Sequence, residues 1–233
     1  MNNIAFLVGH GKGKSGGYDP GAVSGDYHEF RIAREIAKYA RDYYNQHFTE
    51  QADLINYEGD LYLSERIKTV NASGYDFIAE IHLNAGGGTG TECYYSAGNS
   101  KGKLYAAAIN NAVRDALGVV GRGARTKLGS GGRDYFAIIR ETKPTAVLAE
   151  TVFIDTAADL AKVKTASGQR KCGEAIAKAV AEVRGAKRKA PEQAVSGKLY
   201  RVQVGAYSKR ENAEAMLQRV KAAGFTDAYI KEV

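Results

Sequence analysis

His82 follows the apolar-rich run 75–81 and leads through Leu83 and Asn84 into the glycine-rich stretch 85–90. A run of that kind reads as a buried strand, which puts the imidazole at a strand's carboxyl end, where open α/β sheets hold their ligands. His10 has a similar setting, just after the apolar segment 4–8 and inside a glycine-rich loop. Glu29 lies in the first turn of an amphipathic stretch, 28–45, whose apolar positions are Phe30, Ala33, Ile36, Ala37, Ala40, Tyr43 and Tyr44. Glu150 interrupts the apolar run 144–155. An ionised glutamate is almost never buried alone, so this one requires an ion pair, a metal or a catalytic task. Two histidines and a glutamate leaving a fourth position open form the ligand set of a catalytic zinc centre, whereas structural zinc is closed by four protein ligands. Plainer readings compete at each position. His82 also fits a satisfied core histidine, Glu29 pairs with Asp26 in a capping box, His28 is a rival ligand, and an arginine would neutralise Glu150.

The elements that must bring these residues together are legible as an alternation. Strand-like runs at 4–8, 75–81, 91–95, 135–139 and 144–155 are interleaved with helical periodicity at 28–45, 63–72, 104–117 and 173–183. Residues 121–133, rich in glycine and arginine, read as a long loop. The expected fold is an α/β sheet, mainly parallel and flanked by helices on both faces, over residues 1–183. In that architecture His10, His82 and Glu150 lie near the carboxyl ends of separate strands, and Glu29 opens the helix after the first, so the four converge.

Bulk properties narrow the function classes. With 233 residues, 44% hydrophobic and 25% charged, the chain has the composition of a globular protein. No apolar run approaches the ~20 residues of a membrane span, so no membrane partner is expected. The N-terminus lacks the basic start of a secretory signal, so the expectation is synthesis in the host cytoplasm and action after release. Cys93 and Cys172 lack disulfide-framework or metal-ligand spacing. The segment 8–15 imitates a phosphate-binding loop, but Val8 stands where its first glycine belongs and turn formers follow Ser15, so no helix start is available for a phosphate.

The net charge of +7 is unevenly spread. Residues 1–183 are nearly neutral, whereas 184–197 carry 4 Lys/Arg against 1 acid and 198–233 carry 7 against 4. That bias points to an anionic partner for the tail: a nucleic acid or an anionic cell wall. A nucleic-acid partner is not expected, because no aromatic-basic motif is present. Residues 184–197 read as a basic linker and 198–233 as a small β-α-β module. Its expected parts are a β-rich run at 199–207, a capping pair at Ser208 and Glu211, an apolar stripe at Ala213, Met216, Leu217 and Val220, and a second strand at 228–233. A unit of this size falls below the ~40 residues at which isolated domains need support, so either two chains pair their tails as a homodimer or the tail packs on its own first domain.

The residues quoted above resemble the zinc-dependent N-acetylmuramoyl-L-alanine amidases (amidase type 3, endolysin-like). The matching stretches are Gly9-His10-Gly11 with Asp19-Pro20-Gly21-Ala22, Glu29, Arg66 with Asn71, Ile81-His82-Leu83-Asn84-Ala85, and Pro144 through Glu150-Thr151 to Ile154. By position, the resemblance implies that His10, Glu29 and His82 bind Zn2+ and that Glu150 is the catalytic carboxylate. It also implies a twisted, largely parallel sheet. The implied reaction is hydrolysis of the amide between N-acetylmuramic acid and L-alanine in bacterial peptidoglycan, in a phage or lysis-released lytic enzyme; a non-catalytic peptidoglycan-binding protein is the alternative. Three departures stand out: a longer first loop, Glu80 where a small residue is common, and Val152 in place of a glycine. Tyr200 through Ser208, with Asn212-Ala213-Glu214, resembles about half of a SPOR-type peptidoglycan-binding domain.

Overall fold

Six strands, β1 (Ile4–Val8), β2 (Ala52–Ile55), β3 (Phe77–Asn84), β4 (Thr91–Tyr95), β5 (Gly121–Arg125) and β6 (Thr145–Phe153), form one sheet in the computed structural model, which describes residues 3–190 and 202–232. Their spatial order is β2-β1-β3-β6-β4-β5. β2, β1, β3 and β6 are mutually parallel, and β4 and β5 run against them. The mainly parallel α/β sheet expected from the alternation is therefore present.

Side-chain alternation along the strands builds two cores. Phe6, Val8, Ile81 and Val147 face α1 (Glu29–His47), α3 (Ser100–Leu117) and α6 (Ala166–Arg184), where Ile36, Tyr44, Ile109, Ile176 and Val180 are buried. Leu7, Ile78 and Leu148 face the other way, against Ile67 and Val70 of α2 (Leu63–Ser73) and Ile138 of α4 (Ala137–Arg140). Each large apolar side chain fully buried in this way contributes about 1.5–3 kcal/mol. α5 (Ala157–Val163) links β6 to α6. Since Ile81 belongs to the first core, Glu80 and His82 point to the second face, whose helical cover is shorter. Glu150 follows suit, because its neighbours Ala149 and Leu148 belong to the first and second cores respectively.

Several expectations are corrected. Residues 135–139 do not make a strand: α4 begins at Ala137, with Ile139 and Arg140 donating their amides to Phe136. A short apolar run does not distinguish helix from strand by periodicity. Part of the expected loop 121–133 is an edge strand, β5, paired to β4 despite its glycines and arginines. The competing capping-box reading of Asp26 and Glu29 does not hold: His28 is the cap residue of α1, without a side-chain bond, and both Glu29 oxygens are engaged elsewhere. Residues 184–189, expected within the linker, are instead bonded into the first unit. Arg184 pairs with Glu50 and Asp76, Thr49 donates to the Lys187 carbonyl, and Lys189 donates to that of His47. The first compact unit accordingly runs to Lys189, and the second from Ala190.

In the second unit the expected helix is α7 (Arg210–Ala222), capped by Lys209 without a side-chain bond, so the Ser208–Glu211 capping pair is not made. Residues 202–207 and 228–232 are not strands, which corrects the described part of the β-α-β expectation; residues 199–201 and 233 lie outside the described residues. Val202, Phe225 and Tyr229 are exposed. The expected pairing of two tails rested on those strands and gains no support from them. Among the described residues, no helix is long and apolar enough to cross a membrane.

Candidate metal centre

β1 ends at Val8, and the chain then turns so sharply that His10 takes a left-handed backbone, φ 63°, which non-glycine residues rarely adopt. Surrounding bonds fix that conformation. The Asn56 side chain donates to the carbonyls of Val8 (2.9 Å) and His10 (2.8 Å), and Arg66 donates to the His10 carbonyl (3.1 Å). On the ring, Nδ1 is 2.9 Å from Asp19 Oδ2, and Asp19 is itself positioned by the Gly21 amide. Nε2 is thereby turned toward Glu29 Oε1, 3.3 Å away.

Glu29 is buried at the first turn of α1, where the helix dipole favours a carboxylate. Its Oε2 accepts from the Ala22 amide at 2.8 Å, and its Oε1 from the Leu83 amide at 3.0 Å. The same Oε1 is 2.8 Å from His82 Nδ1. Close approach is possible because of two glycines: a Cβ on Gly9 would stand 2.1 Å from the His82 ring, and one on Gly21 would stand 2.6 Å from Glu29. His10, Glu29 and His82 thus each present one ligand atom, all within 4.8 Å of one another.

The electrostatics agree with a cation site. Burial works to raise the Glu29 pKa, but bonds from His10 and His82 outweigh it and hold the carboxyl well below the usual range. Burial works to lower the pKa of His82, yet the carboxylates of Glu29 and Glu80 lift it well above its ordinary value. His10 is raised in the same way, with Glu29 as the principal opposing cause to its burial. A cluster that holds protons so firmly is one in which another cation can take the protons' place.

Glu150 stands beside this cluster. Its Cα pairs with that of His82 across β3 and β6, and with that of Glu92 across β4. Among the described residues, no arginine pairs with it. Its Oε2 is buried and makes no hydrogen bond. Burial, aided by the charges of Glu29 and Glu92, pushes its pKa up to about 7. The ladder register shifts just beyond it, between Glu150 and Phe153, the kind of irregularity that re-aims side chains next to functional sites. Val152 faces the first core and not this surface, so that departure from the family pattern leaves the site's lining untouched.

The four residues singled out in the sequence therefore lie together, while His28 does not join them: it is half-buried and its ring is bonded to Tyr18 at 3.1 Å. The sequence reading missed the carboxylate partner of His10, although Asp19 stands in the conspicuous Asp-Pro-Gly. It also missed Asn56, for which no local signal exists. A cavity of about 220 Å³ adjoins the site, lined among others by His10, Lys12, Tyr62, Glu80, His82 and Phe136.

Two histidines and a glutamate at the carboxyl ends of parallel strands, with an unsatisfied carboxylate beside them, fit the open donor set of a hydrolytic site. The chain belongs to the N-acetylmuramoyl-L-alanine amidase family, whose pattern matches residues 4–182. A SPOR domain matches residues 174–232, starting inside α6. The chain is 31% identical over 228 residues to the sporulation-specific N-acetylmuramoyl-L-alanine amidase of Bacillus subtilis (strain 168), covering 97% of this chain and 83% of that protein. It is 29% identical over 200 residues to the endolysin of Bacillus phage SPP1, covering 81% of this chain and 69% of that one. Among solved structures, the catalytic domain of CwlV, an N-acetylmuramoyl-L-alanine amidase from Bacillus (Paenibacillus) polymyxa var. colistinus, superposes with a TM-score of 0.68 at 26% identity, covering 80% of this chain and all of that domain.

Proposed function

We propose that this protein is a zinc-dependent amidase that cuts the bond between N-acetylmuramic acid and L-alanine in bacterial peptidoglycan, with His10, Glu29 and His82 as the zinc ligands. The observation that carries this reading is the position of Glu150: a buried carboxylate with an unbonded oxygen, in register with His82 and beside a two-histidine, one-glutamate donor set. That donor set suits zinc, and it leaves a coordination position for substrate or water.

Bound zinc supplies a Lewis acid and lowers the pKa of water from ~15.7 towards ~7. The protein's part is proton traffic and positioning. Glu150, buried and with an unbonded oxygen, takes a proton from the attacking water and returns it to the amide nitrogen, which leaves as an amine only once protonated. Asp19 and the amides of Ala22 and Leu83 keep His10 and Glu29 in place, so little reorganisation accompanies the reaction. The SPOR match supports a wall-binding role for the tail, which would keep the catalytic unit near its insoluble substrate. The endolysin relative supports a phage or lysis-released enzyme that meets the wall after release.

The test is digestion of purified peptidoglycan with and without a chelator, followed by mass spectrometry of the fragments. A new alanine amine that disappears with chelation is expected; a new reducing sugar or a cut inside the stem peptide overturns the reading.

A further inference from the structure

Glu80 is one of the most deeply buried charged residues of the fold, 1% exposed, and it stands two residues before His82 on the same face of β3. Its two oxygens have separate tasks. Oε1 accepts from Arg66 Nε at 3.0 Å, and Oε2 lies 3.1 Å from His82 Nε2. Arg66 is itself buried and held by donating to the carbonyls of Leu61 and His10. His82 Nε2 is the ring nitrogen opposite the one that faces Glu29. Glu80 is therefore behind the cluster and not a fourth ligand of it. On the ring's other flank Gly9 is pressed so close that no Cβ would fit. His10 has a matching arrangement, with Asp19 on its Nδ1 and Glu29 toward its Nε2.

We propose that Glu80, fixed by Arg66, is a positioning residue: it takes the Nε2–H of His82, fixes the tautomer that leaves Nδ1 free for the metal, and strengthens that nitrogen as a donor. The chemistry is general. A carboxylate behind a ligating imidazole sets the ring's orientation and raises its electron donation, and loss of such a partner costs about 10–100-fold in metal affinity. What is particular here is that this carboxylate sits in the ligand's own strand and is tied to a second element, α2, through Arg66. Arg66 also bonds the His10 carbonyl, so one guanidinium steadies the mounting of both histidines. The inference rests on the zinc reading given above.

Two measurements on the full chain test it. The first compares the zinc dissociation constant of the parent and of Glu80→Gln by competition with a chromogenic chelator, with the thermal midpoint of both metal-free proteins recorded alongside. The amide of Gln keeps the shape and an accepting oxygen but loses the charge, so zinc binding should weaken about 10–100-fold. A variant that melts lower yet binds zinc as tightly as the parent would show that the Arg66–Glu80 pair serves packing alone, and overturns the proposal. The second measurement needs no variant. In the zinc-loaded parent, 15N-edited spectra of the imidazoles should show His82 bound through Nδ1, with a protected Nε2–H. Binding through Nε2 overturns the proposal. A parent that takes up no zinc overturns the metal reading, and with it this inference; the parent's own titration distinguishes that failure from the failure of Glu80's role.

Discussion

Glu150 and His82 face each other across the β3–β6 ladder, one bearing a carboxylate with a buried, unbonded oxygen and the other an imidazole bonded at both nitrogens. That contrast divides the site's labour: His82 is fully engaged in holding, and Glu150 is free to react. Glu150→Ala should therefore keep its zinc and lose activity by about 10²–10⁴-fold, the usual weight of a general acid–base group. Metal content by mass spectrometry and turnover on purified peptidoglycan check both halves. A metal-loaded Glu150→Ala enzyme with parental turnover would sink the assignment.

The same carboxylate should reveal itself in stability. In the metal-free protein burial lifts Glu150 from 4.5 to about 7, so the folded chain keeps a proton that the unfolded chain releases. Below about pH 4.5 both states are protonated and the contribution is complete; it is lost progressively as pH rises through about 7. Glu150→Gln cannot ionise, so above about pH 7 it should be more stable than the metal-free parent by on the order of 3 kcal/mol, with the gap shrinking toward pH 4.5. Denaturant unfolding in chelator at several pH values measures this, and a gap that widens toward acid contradicts it.

Gly9 and Gly17 belong to the same stretch of chain but should respond differently. A Cβ at Gly9 meets the His82 ring at 2.1 Å, and a Cβ at Gly17 meets nothing within 4 Å. Gly9→Ala is expected to displace the ligand ring and lower zinc affinity by at least about 10-fold, the scale at which misplaced ligand supports act. Gly17→Ala should leave zinc titrations unchanged. Equal affinities for the two variants would argue against a ring wedged at Gly9.

Arg184, at the end of α6, ties together Glu50 and Asp76, which precede β2 and β3. Its side chain is only 11% exposed, so removing it strands two acids near the surface of the fold. Arg184→Ala should cost about 2–3 kcal/mol, short of the 3–5 typical of a fully buried pair because Asp76 is half-exposed. Thermal unfolding should show the loss, while zinc affinity of the folded fraction stays at the parent's value.

How much of this could be read in the sequence differed between the site and its surroundings. His10, His82 and Glu150 were visible because each interrupts or ends an apolar run, and Glu29 because it opens a strongly amphipathic helix. The choice between ligand and cap for Glu29 was not local: it depends on the amides of Ala22 and Leu83, which the fold brings to it. Glu80 stood out as unusual, but its meaning needed Arg66, fourteen residues earlier and on another element. β5 escaped because glycine and arginine have no strand preference of their own, and only pairing with β4 decides the matter. Residues 135–139 have strand-like composition, yet Arg140 donates to the carbonyls of Asp134 and Tyr135 and the chain coils there. Arg184, which the sequence groups with the basic tail, is already neutralised within the first unit by Glu50 and Asp76.

The His10 turn, clasped by Asn56 and Arg66, bears on what would hold the fold together if the proposed ion were removed. Where ligands are gathered by the ion itself, as in zinc fingers, the apo chain is unfolded and the metal must be present when the protein is made. Here the bonds that set the His10 turn and hold the Glu29 carboxylate come from Asn56, Arg66 and the amides of Ala22 and Leu83, so the mounting of these donors belongs to the chain's own fold. On the proposed zinc reading, chelation should then silence the protein without unfolding it, in contrast to a zinc finger, whose fold is lost with its ion.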